Sequence, residues 1–446
     1  MKFSRLFAFC SMSLSLLQCF AAPKTTREQL LRVWPGNAVM NIPFVAKAPG
    51  IDGFFTPGEW DKAAEFSGFS RLNGDYVTTG SGSVRLMRDK EYLYIAVRTT
   101  TPNNDPGGSL VANTTVRDGA VFRDDSLDFM LTPENEPVLY HWIINARDTV
   151  YDAKVELGAT QRSDASWNFR NLRCASHVDK GFWDVELALP FSEIGNPANV
   201  LKFNVGRNWS KAGTSLLNPG SKYFDTKRMI KVWWKKHWGV LRQHDAGDVG
   251  RGEWKLSLSA DNTTKKELCL AVMLRHNRYE KIKGKSVTHR IFDVVKEVRI
   301  PPQKSGSLDA AFSVSDNSRY HYTAVLFDPA SGVIQGSRGF AGIRGSTERH
   351  PLSGSCEIKG VGIGEYRYYP GYDKAVMNFR PSAKNISNVA VVLSDDKKIA
   401  GVNDKNIFVL RFPVPAKVGK HEFALEINGK HHAAVLSLEK RNYPWC

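Results

Sequence analysis

The sequence predicts an all-β protein built from consecutive β-sandwiches. Apolar residues alternate with small, aromatic or polar ones over short segments such as Tyr92–Val97 and Val185–Leu189, which is the two-residue period of a strand. Clusters of Pro, Gly, Asn and Asp separate such segments, as at Asn218-Pro219-Gly220. No segment keeps the 3.6-residue period of a long amphipathic helix. Strands joined by turns, without long helices between them, pack as sheet on sheet.

The length of 446 residues exceeds what a single hydrophobic core usually spans, so we expect several domains. A short helical segment near Thr26–Val33 is ended by Pro35-Gly36. The polar run Asp261–Lys266 marks a junction, and Asn428-Gly429 predicts a tight hairpin. The predicted division is a signal peptide at 1–22, a lead-in linker at 23–47, a first sandwich at 48–260, an immunoglobulin-like sandwich at 261–348 and another at 349–446.

Residues 1–22 have the features of an export signal. Lys2 and Arg5 give a positive start, Leu6–Leu17 is apolar, and Cys19-Phe20-Ala21 offers small residues for cleavage. We therefore expect an exported protein, located in the periplasm, on the cell surface or outside the cell, with no nucleic-acid partner. Lipid attachment at Cys19 stays open, because the residues before it partly resemble a lipobox.

Cleavage removes two positive charges and no acids, so the formal charge falls from +16 to about +14. This charge favours an anionic polysaccharide as partner, or serves solubility alone. No later segment approaches the roughly 18 apolar residues of a transmembrane helix, so we expect no membrane span. The later cysteines indicate neither a disulfide framework nor a zinc site, because they are widely spaced: Cys174, Cys269, Cys356 and Cys446.

Short pattern fragments follow one another in a fixed order between Ile51 and Trp209. Most are strand-like and apolar, and each is weak evidence taken singly, because such runs occur in every β-sandwich. The fragments are Ile51-Asp52-Gly53 with Glu59-Trp60, Ser83–Met87, Tyr92–Val97, Phe122–Leu131, Tyr140–Asn145, Trp183–Pro190 and Leu201–Arg207.

The order and spacing of these fragments resemble the family 9 carbohydrate-binding modules, which are β-sandwiches appended to secreted polysaccharide-degrading enzymes. The resemblance implies that residues 48–260 form such a module near the start of a large exported bacterial protein associated with glycoside hydrolases. It implies binding of a saccharide rather than its cleavage.

The resemblance also implies binding residues. In family 9 modules a Trp stacks on the sugar, and an acid six residues later hydrogen-bonds the sugar hydroxyls. Phe122 and Asp128 hold these positions here. Asn145 matches a family Asn, but Ile143 replaces the family's Arg, which puts the usual ligand in doubt. In the alternative interpretation, Phe122 belongs to the core and Asp128 is a surface acid.

A second aromatic wall is expected from the basic segment Lys222–Arg242, which contains Trp233, Trp234 and Trp238 among seven Lys and Arg residues. Rings interleaved with ammonium groups suit an anionic saccharide. We assign Trp234 and Trp238 to the binding site, with Trp238 opposite Phe122. In the alternative, the Trp rings pack inward and the lysines are solvated.

Catalytic signals are weak. The sequence contains no HExxH, no Gly-x-Ser-x-Gly and no phosphate-binding loop. Asp124 and Asp125 are neighbours on one strand, so they point to opposite faces and cannot form a facing acid–base pair. We predict no catalytic residue, no metal-binding residue and no cofactor. Structural calcium stays open, because the Asn103–Asp105 loop offers oxygen ligands.

These observations predict an exported, non-catalytic protein that binds a poly- or oligosaccharide during polysaccharide recognition and breakdown. The first alternative is a structural or adhesion spacer of the cell surface. The second is the N-terminal part of a glycoside hydrolase whose catalytic domain lies beyond residue 446. It is raised by the chain's ending in Tyr443-Pro444-Trp445, which resembles a linker into a further domain.

Overall fold

The computed structural model describes most of the chain after residue 25. The described ranges are 26–33, 38–71, 77–101, 110–134, 136–158, 160–179, 181–194, 200–209, 213–218, 224–245, 252–282, 284–314, 319–344, 352–368, 376–393, 396–404, 406–412 and 419–440. The predicted signal peptide with Cys19, the Asn103–Asp105 loop and the Tyr443–Trp445 ending lie outside these ranges.

Strands dominate the described chain, which confirms the predicted all-β class. One α-helix, α1, spans Thr26–Arg32, and single turns of 3-10 helix span Val121–Arg123 and Phe191–Glu193. No described helix is long and apolar enough to cross a bilayer.

The first strands are β1 (Val39–Asn41), β2 (Ala64–Arg71), β3 (Val77–Arg88), β4 (Tyr92–Thr100), β5 (Ser126–Pro133), β6 (Val138–Asn145), β7 (Val150–Glu156), β8 (Arg162–Asp164), β9 (Arg173–Asp179) and β10 (Phe182–Pro190). They are followed by β11 (Val200–Trp209), β12 (Gly213–Leu216), β13 (Ile230–Trp233), β14 (Val240–Asp245), β15 (Gly252–Asp261), β16 (Leu268–Ile282), β17 (Lys285–Ile300), β18 (Ser305–Val314), β19 (Arg319–Phe327) and β20 (Ile334–Arg344). The last are β21 (Leu352–Ile358), β22 (Gly362–Tyr368), β23 (Val376–Pro381), β24 (Val389–Val392), β25 (Lys398–Ala400), β26 (Val402–Asp404), β27 (Ile407–Arg411), β28 (Gly419–Ile427) and β29 (Lys430–Lys440).

Strands β1 to β20 form two sheets around one core. Sheet I has the order β9–β10–β4–β3–β2–β14–β15–β18. Sheet II has the order β8–β7–β6–β5–β11–β13–β1–β20–β19–β16–β17. Strand β12 pairs with β11 and with β2, so it links the two sheets. These pairs are antiparallel except β1–β13 and β2–β14, which are parallel.

The core between these sheets runs through both of the first two predicted sandwiches. Phe129 stacks on Trp142 within the first, whereas Trp254 of the first stacks on Phe312 of the second, and all four side chains belong to one cluster. The junction predicted after residue 260 falls at the end of β15, which pairs with β18 along its whole length. The two segments therefore share their sheets and their core, and their division into separate folding units stays a prediction.

The segment predicted as a lead-in linker supplies two packed elements. Helix α1 places Leu30 and Val33 against Met273 and Phe327 of the second segment. Strand β1 pairs with β13 on one side and with β20 on the other, so it closes sheet II between the two segments. Its neighbour Ala38 and its own Met40 are fully buried, because both side chains belong to the main core.

The last nine strands form a separate sheet in the order β25–β24–β28–β29–β21–β22–β23–β27–β26. Phe379, Phe408 and Leu425 are among the buried side chains of its own core. The predicted hairpin joins β28 to β29, and both turn residues have positive φ, 49° at Asn428 and 80° at Gly429. Asn and Gly tolerate this conformation best, which explains their use here.

A buried carboxylate explains the first sequence fragments of the family resemblance. Glu186 on β10 accepts hydrogen bonds from the indole N–H of Trp60 at 2.8 Å and from the backbone N–H groups of Asp52 and Gly53 at 3.1 and 3.0 Å. Gly53 has a φ of 86°, and a Cβ there would lie 2.7 Å from the backbone of Ser176. Burial raises the pKa of Glu186 to about 6, against the three donors, which favour the charged form.

A buried guanidinium ties the second segment to the first. Arg338 on β20 donates to the side-chain oxygen of Gln243 at 2.9 Å and to the carbonyls of Gly68 and Leu217 at 2.6 and 2.8 Å. Its guanidinium also lies 4.9 Å from the ring centroid of Phe66. Burial lowers the pKa of Arg338 to about 9, so the charge is retained at neutral pH.

We predict that Trp60→Phe destabilises the protein, and more at pH 7 than at pH 4.5. Above the pKa of Glu186, the variant loses a hydrogen bond to a charged carboxylate, and such a bond contributes about 1.5–3 kcal/mol. Below that pKa, the variant loses a hydrogen bond to a neutral acid, which contributes about 1 kcal/mol. Urea denaturation at the two pH values measures the difference.

Trp254→Phe is the matched control, because the indole N–H of Trp254 is buried without a partner among the described residues. Its cost should not change with pH. Equal pH dependence in the two variants would contradict the role assigned to the Trp60–Glu186 bond.

We also predict that Arg338→Met lowers the free energy of unfolding by more than about 3 kcal/mol, since it leaves three buried acceptors without their donor. Arg299→Met is the control, because Arg299 forms a surface ion pair with Glu297 whose removal should cost less than about 1 kcal/mol. Two separate unfolding transitions, with only one shifted by Arg338→Met, would show that this side chain does not couple the segments.

Candidate functional site

The outer face of sheet II carries a buried acid, Asp128 on β5. Along β5, Leu127, Phe129 and Leu131 point into the core, so Asp128 and Met130 lie on the opposite face. Met130 belongs to a small apolar cluster that also includes Met229 from the segment before β13. Asp128 is therefore only 2% exposed although it faces away from the main core.

Asp128 is paired with a histidine that lies across the sheet. Its carboxylate oxygen Oδ1 is 2.8 Å from Nε2 of His141 on β6, and both side chains are buried. In the strand register Asp128 pairs with Ile143, so His141 lies diagonally, one pair further along the same face. The bond fixes the orientation of the imidazole ring.

Two aromatic rings border this pair. The ring of Tyr151 on β7 lies 5.9 Å from the His141 ring, and the ring of Phe224 lies 5.0 Å from it, both edge-on. The four residues Asp128, His141, Tyr151 and Phe224 are called the outer-face cluster below.

Small and apolar residues surround the outer-face cluster. Gly206 pairs with Asp128 from β11, and Ala153 pairs with His141 from β7, so neither neighbour covers the polar pair with a long side chain. Ile143, at the position of the family's Arg, is 2% exposed. No cation from that position reaches Asp128, and the imidazole of His141 is its side-chain partner instead.

Phe122 is the exposed member of the predicted site. It lies in the 3-10 turn before β5, is 55% exposed, and has the guanidinium of Arg123 5.8 Å from its ring centroid. The alternative interpretation of Phe122 as a core residue is therefore wrong, and so is that of Asp128 as a surface acid.

The two acids that follow Phe122 hold its turn in place. Asp124 accepts hydrogen bonds from the backbone of Asn113 and Thr114, and Asp125 accepts one from the backbone of Val111. Burial alone would raise the pKa of Asp124, but its hydrogen bonds outweigh burial and hold the pKa below the usual value. Asp124 and Asp125 thus anchor a loop; both precede β5 rather than lying on a strand, and their exclusion as an acid–base pair stays a prediction.

Asn145 has a structural environment. Its side-chain N–H₂ group donates to the carbonyl of Thr114 at 2.8 Å and to Asp124 at 2.9 Å, and its oxygen accepts from the backbone N–H groups of Arg147 and Thr149, both at 3.0 Å. It is fully buried. These four bonds use both donors and both lone pairs of the amide, which leaves none for a ligand.

Trp234 and Trp238 lie towards the end of β5, whereas Phe122 lies before its start. Trp233 pairs with Val200, whose carbonyl accepts from Glu134 just beyond the end of β5. Phe122 precedes the start of this eight-residue strand, which is about 26 Å long. The structure therefore does not bring Trp238 opposite Phe122.

The three Trp rings are in contact with cations and rings of the chain itself. Trp238 lies 4.9 Å from Trp233, and Nζ of Lys235 lies 4.2 and 4.5 Å from their ring centroids. Trp234 contacts the ring of Phe191 at 5.8 Å and the guanidinium of Arg88 at 5.7 Å. All three are partly buried, so neither of the two interpretations of this segment describes them completely.

Sequence reasoning missed the partners of Asp128. The two-residue period places His141 on the same face as Ile143 and Asn145, and this signal was available from the sequence. Tyr151 and Phe224 carried no comparable signal, because their position depends on strand register and on the path of the segment before β13.

Among the described residues, no three His, Cys, Asp or Glu side chains are grouped to hold a metal ion. The predictions of no catalytic residue and of structural calcium stay predictions, since the loop offered for calcium is outside the described part of the chain.

Solved structures that are similar to part of the chain include family 9 carbohydrate-binding modules. A candidate carbohydrate-binding protein of Bacteroides uniformis is 12% identical, with 45% of this chain and 99% of that chain covered and a TM-score of 0.36. A family 9 carbohydrate-binding module of Caldicellulosiruptor kristjanssonii in complex with cellotriose is 15% identical, with coverage of 44% and 93% and a TM-score of 0.31. A structure of such a module from the same organism with glucose is also 15% identical, with coverage of 44% and 95% and a TM-score of 0.31.

TM-scores this low do not establish a shared fold. No protein-family model matches the chain, and no curated protein matches it.

We predict that Asn145→Ala costs more than about 2 kcal/mol of stability, because several buried partners lose their bonds. Asn388→Ala, at an exposed position of the last nine-stranded unit, should cost less than about 0.5 kcal/mol. Chemical denaturation compares the two. If Asn145→Ala is as stable as the parent protein, the four hydrogen bonds of Asn145 do not hold the loop around Thr114 in place.

Proposed function

We propose that this protein binds a poly- or oligosaccharide without cleaving it, through the outer-face cluster and the exposed ring of Phe122. The proposal includes export of the protein and a role in polysaccharide recognition and breakdown. The family resemblance of residues 48–260 supports the ligand class, and the outer face of sheet II supplies the groups that such a ligand needs.

The observation that carries the proposal is the Asp128–His141 pair. Polar pairs are costly to bury, and this one lies between two aromatic rings on the outer face of the sandwich. Hydrogen-bonding groups beside aromatic rings are the composition of saccharide sites, because pyranose rings present both C–H faces and hydroxyls.

In this proposal, Asp128 and His141 have different roles. Asp128 is nearly inaccessible, so its role is to position His141 rather than to touch the ligand. Nε2 of the imidazole is bonded to Asp128, which leaves Nδ1 as the ring atom that can meet a sugar hydroxyl. Tyr151 and Phe224 limit the space around that ring.

Phe122, in the turn before β5, adds an exposed aromatic ring to the proposed site. Its half-exposed ring offers a stacking face, and Arg123 beside it adds a positive charge. A stacked aromatic of this kind contributes about 0.5–1.5 kcal/mol beyond area burial. The charge of Arg123 and the net charge of the chain support an anionic saccharide as one ligand class.

The first experiment identifies a ligand on a glycan array that contains neutral and sulfated glycans, followed by calorimetry on the parent protein and variants. We expect Phe122→Ala to weaken binding about 2- to 12-fold, the ratio that corresponds to about 0.5–1.5 kcal/mol. Phe54→Ala is the matched control, because Phe54 is exposed to a similar degree, 51% against 55%, but packs on His177 beside sheet I.

Asp128→Asn tests the polar pair. We expect it to weaken binding several-fold, and by less than the roughly 150-fold that a direct charged contact of about 3 kcal/mol would give, because the amide holds the His141 ring less firmly in place than the carboxylate does. The ring-nitrogen NMR signals of His141 should move in the same variant, which a loss of general stability would not cause. Asp309→Asn, at an exposed acid on β18, should change neither.

Two outcomes contradict the proposal. Silence across the whole array would favour the structural or adhesion spacer. Binding that is unchanged in Phe122→Ala and in Asp128→Asn would place the saccharide site elsewhere on the protein.

A further inference from the structure

A second group of rings and cations lies where β1 meets β13, outside the outer-face cluster. It consists of Phe44, Arg88, Trp233, Trp234, Lys235 and Trp238, and is called the seam patch below. The backbone holds it together: the N–H of Ile42 donates to the carbonyl of Trp233 at 2.7 Å, and Phe44 forms a β-bridge with Arg88.

Arg88 is held between two rings. Its guanidinium lies 5.6 Å from the ring centroid of Phe44 and 5.7 Å from that of Trp234, and its Nη1 donates to the carbonyl of Asp89 at 3.1 Å. Its Nε is buried and has no hydrogen-bond partner among the described residues. The carboxylate of Asp89 accepts hydrogen bonds from Tyr94 at 2.6 Å and from backbone N–H groups, and its negative charge also acts on the Arg88 guanidinium.

Lys235 is the second cation, and its environment differs from that of its neighbour Lys231. Lys231 forms an ion pair with Glu134 at 2.8 Å. The ammonium of Lys235 lies instead over Trp233 and Trp238, and no described carboxylate forms an ion pair with it. Aromatic rings attract a cation without neutralising it, so its positive charge stays available to an anion.

The seam patch also has an exposed stacking face. Phe44 is 52% exposed, and Lys235 and Lys236 are exposed as well. An exposed ring beside the cations Arg88 and Lys235 matches a ligand with an apolar face and a negative group.

We infer that the seam patch is a second saccharide site, specific for sugars that carry a carboxylate or a sulfate. The pyranose face stacks on Phe44, and the anionic group lies against Arg88 and Lys235. The ligand class rests on the proposed function, but the residues are separate from the outer-face cluster and lie at the other end of β5.

Calorimetric titration of the full chain with hexagalacturonate, a sulfated heparin hexasaccharide and cellohexaose tests the inference. We expect at least one anionic probe to bind more tightly than cellohexaose, and its affinity to fall as salt is added, because salt screens the ionic contacts. Comparison of the two anionic probes distinguishes carboxylate from sulfate recognition.

The variants Phe44→Ala and Lys235→Gln should each weaken binding of the anionic probe roughly fivefold or more. The matched controls Phe54→Ala and Lys420→Gln should leave it unchanged, because Phe54 packs on His177 of β9 and the exposed Lys420 lies on β28 of the separate nine-stranded sheet. Circular dichroism of all four variants verifies that the fold is retained. Arg88→Lys, which keeps the charge but loses the planar group between the rings, should also weaken binding.

Two results would exclude the seam patch as a saccharide site, and neither of them contradicts the proposed function. If neither anionic probe binds, or if Phe44→Ala and Lys235→Gln bind the anionic probe as the parent does, the seam patch is not a saccharide site. If the anionic probe loses affinity in Phe122→Ala but not in Phe44→Ala, that probe occupies the outer-face cluster, and the second site is again excluded.

Discussion

Arg338 lies on β20 and donates to groups on three other parts of the chain, Gly68 on β2, Leu217 after β12 and Gln243 on β14. Its guanidinium is fully buried, so each of these contacts replaces a bond to water that the side chain cannot make. Because the acceptors belong to sheet I and to the link between the sheets, the second segment cannot move away without exposing or orphaning them. The position of β20 in turn fixes β1, which pairs with it.

Strand β1 passes this constraint on to both candidate sites. It pairs with β13, which pairs with β11, which pairs with β5, so one continuous ladder connects the seam patch to the outer-face cluster. In the register of that ladder, Asp128 lies near the start of β5, and the Trp residues of the seam patch lie beyond its end. The two sites are separate for this geometric reason, although the sequence suggested a single site.

Charged side chains on the outer faces of the two sheets have different kinds of partners. On the outer face of sheet I, the chain itself supplies the hydrogen bonds of the buried Glu186, from Trp60, Asp52 and Gly53. On the outer face of sheet II, Asp128 is bonded to a histidine, and at the seam Arg88 and Lys235 lie against aromatic rings. Groups of the second kind retain unused hydrogen-bonding capacity or charge, which is what a saccharide with hydroxyls or anionic groups can use.

The sequence by itself determined the all-β class, most strand positions and the hairpin at Asn428-Gly429, because the alternation of side chains and the φ preferences of turn residues are local properties. It also placed Asp128 on a strand, whereas Phe122 lies in the turn before that strand. It could not show that Asn145 is fully occupied by the loop around Thr114, or that His141 is bonded to Asp128, since both contacts join strands or loops. Only the tertiary structure decided that β1 completes a sheet shared by two segments and that Trp238 lies far from Phe122. Strand order and register are set by contacts between residues far apart in the chain, and no local pattern encodes which strand lies beside which.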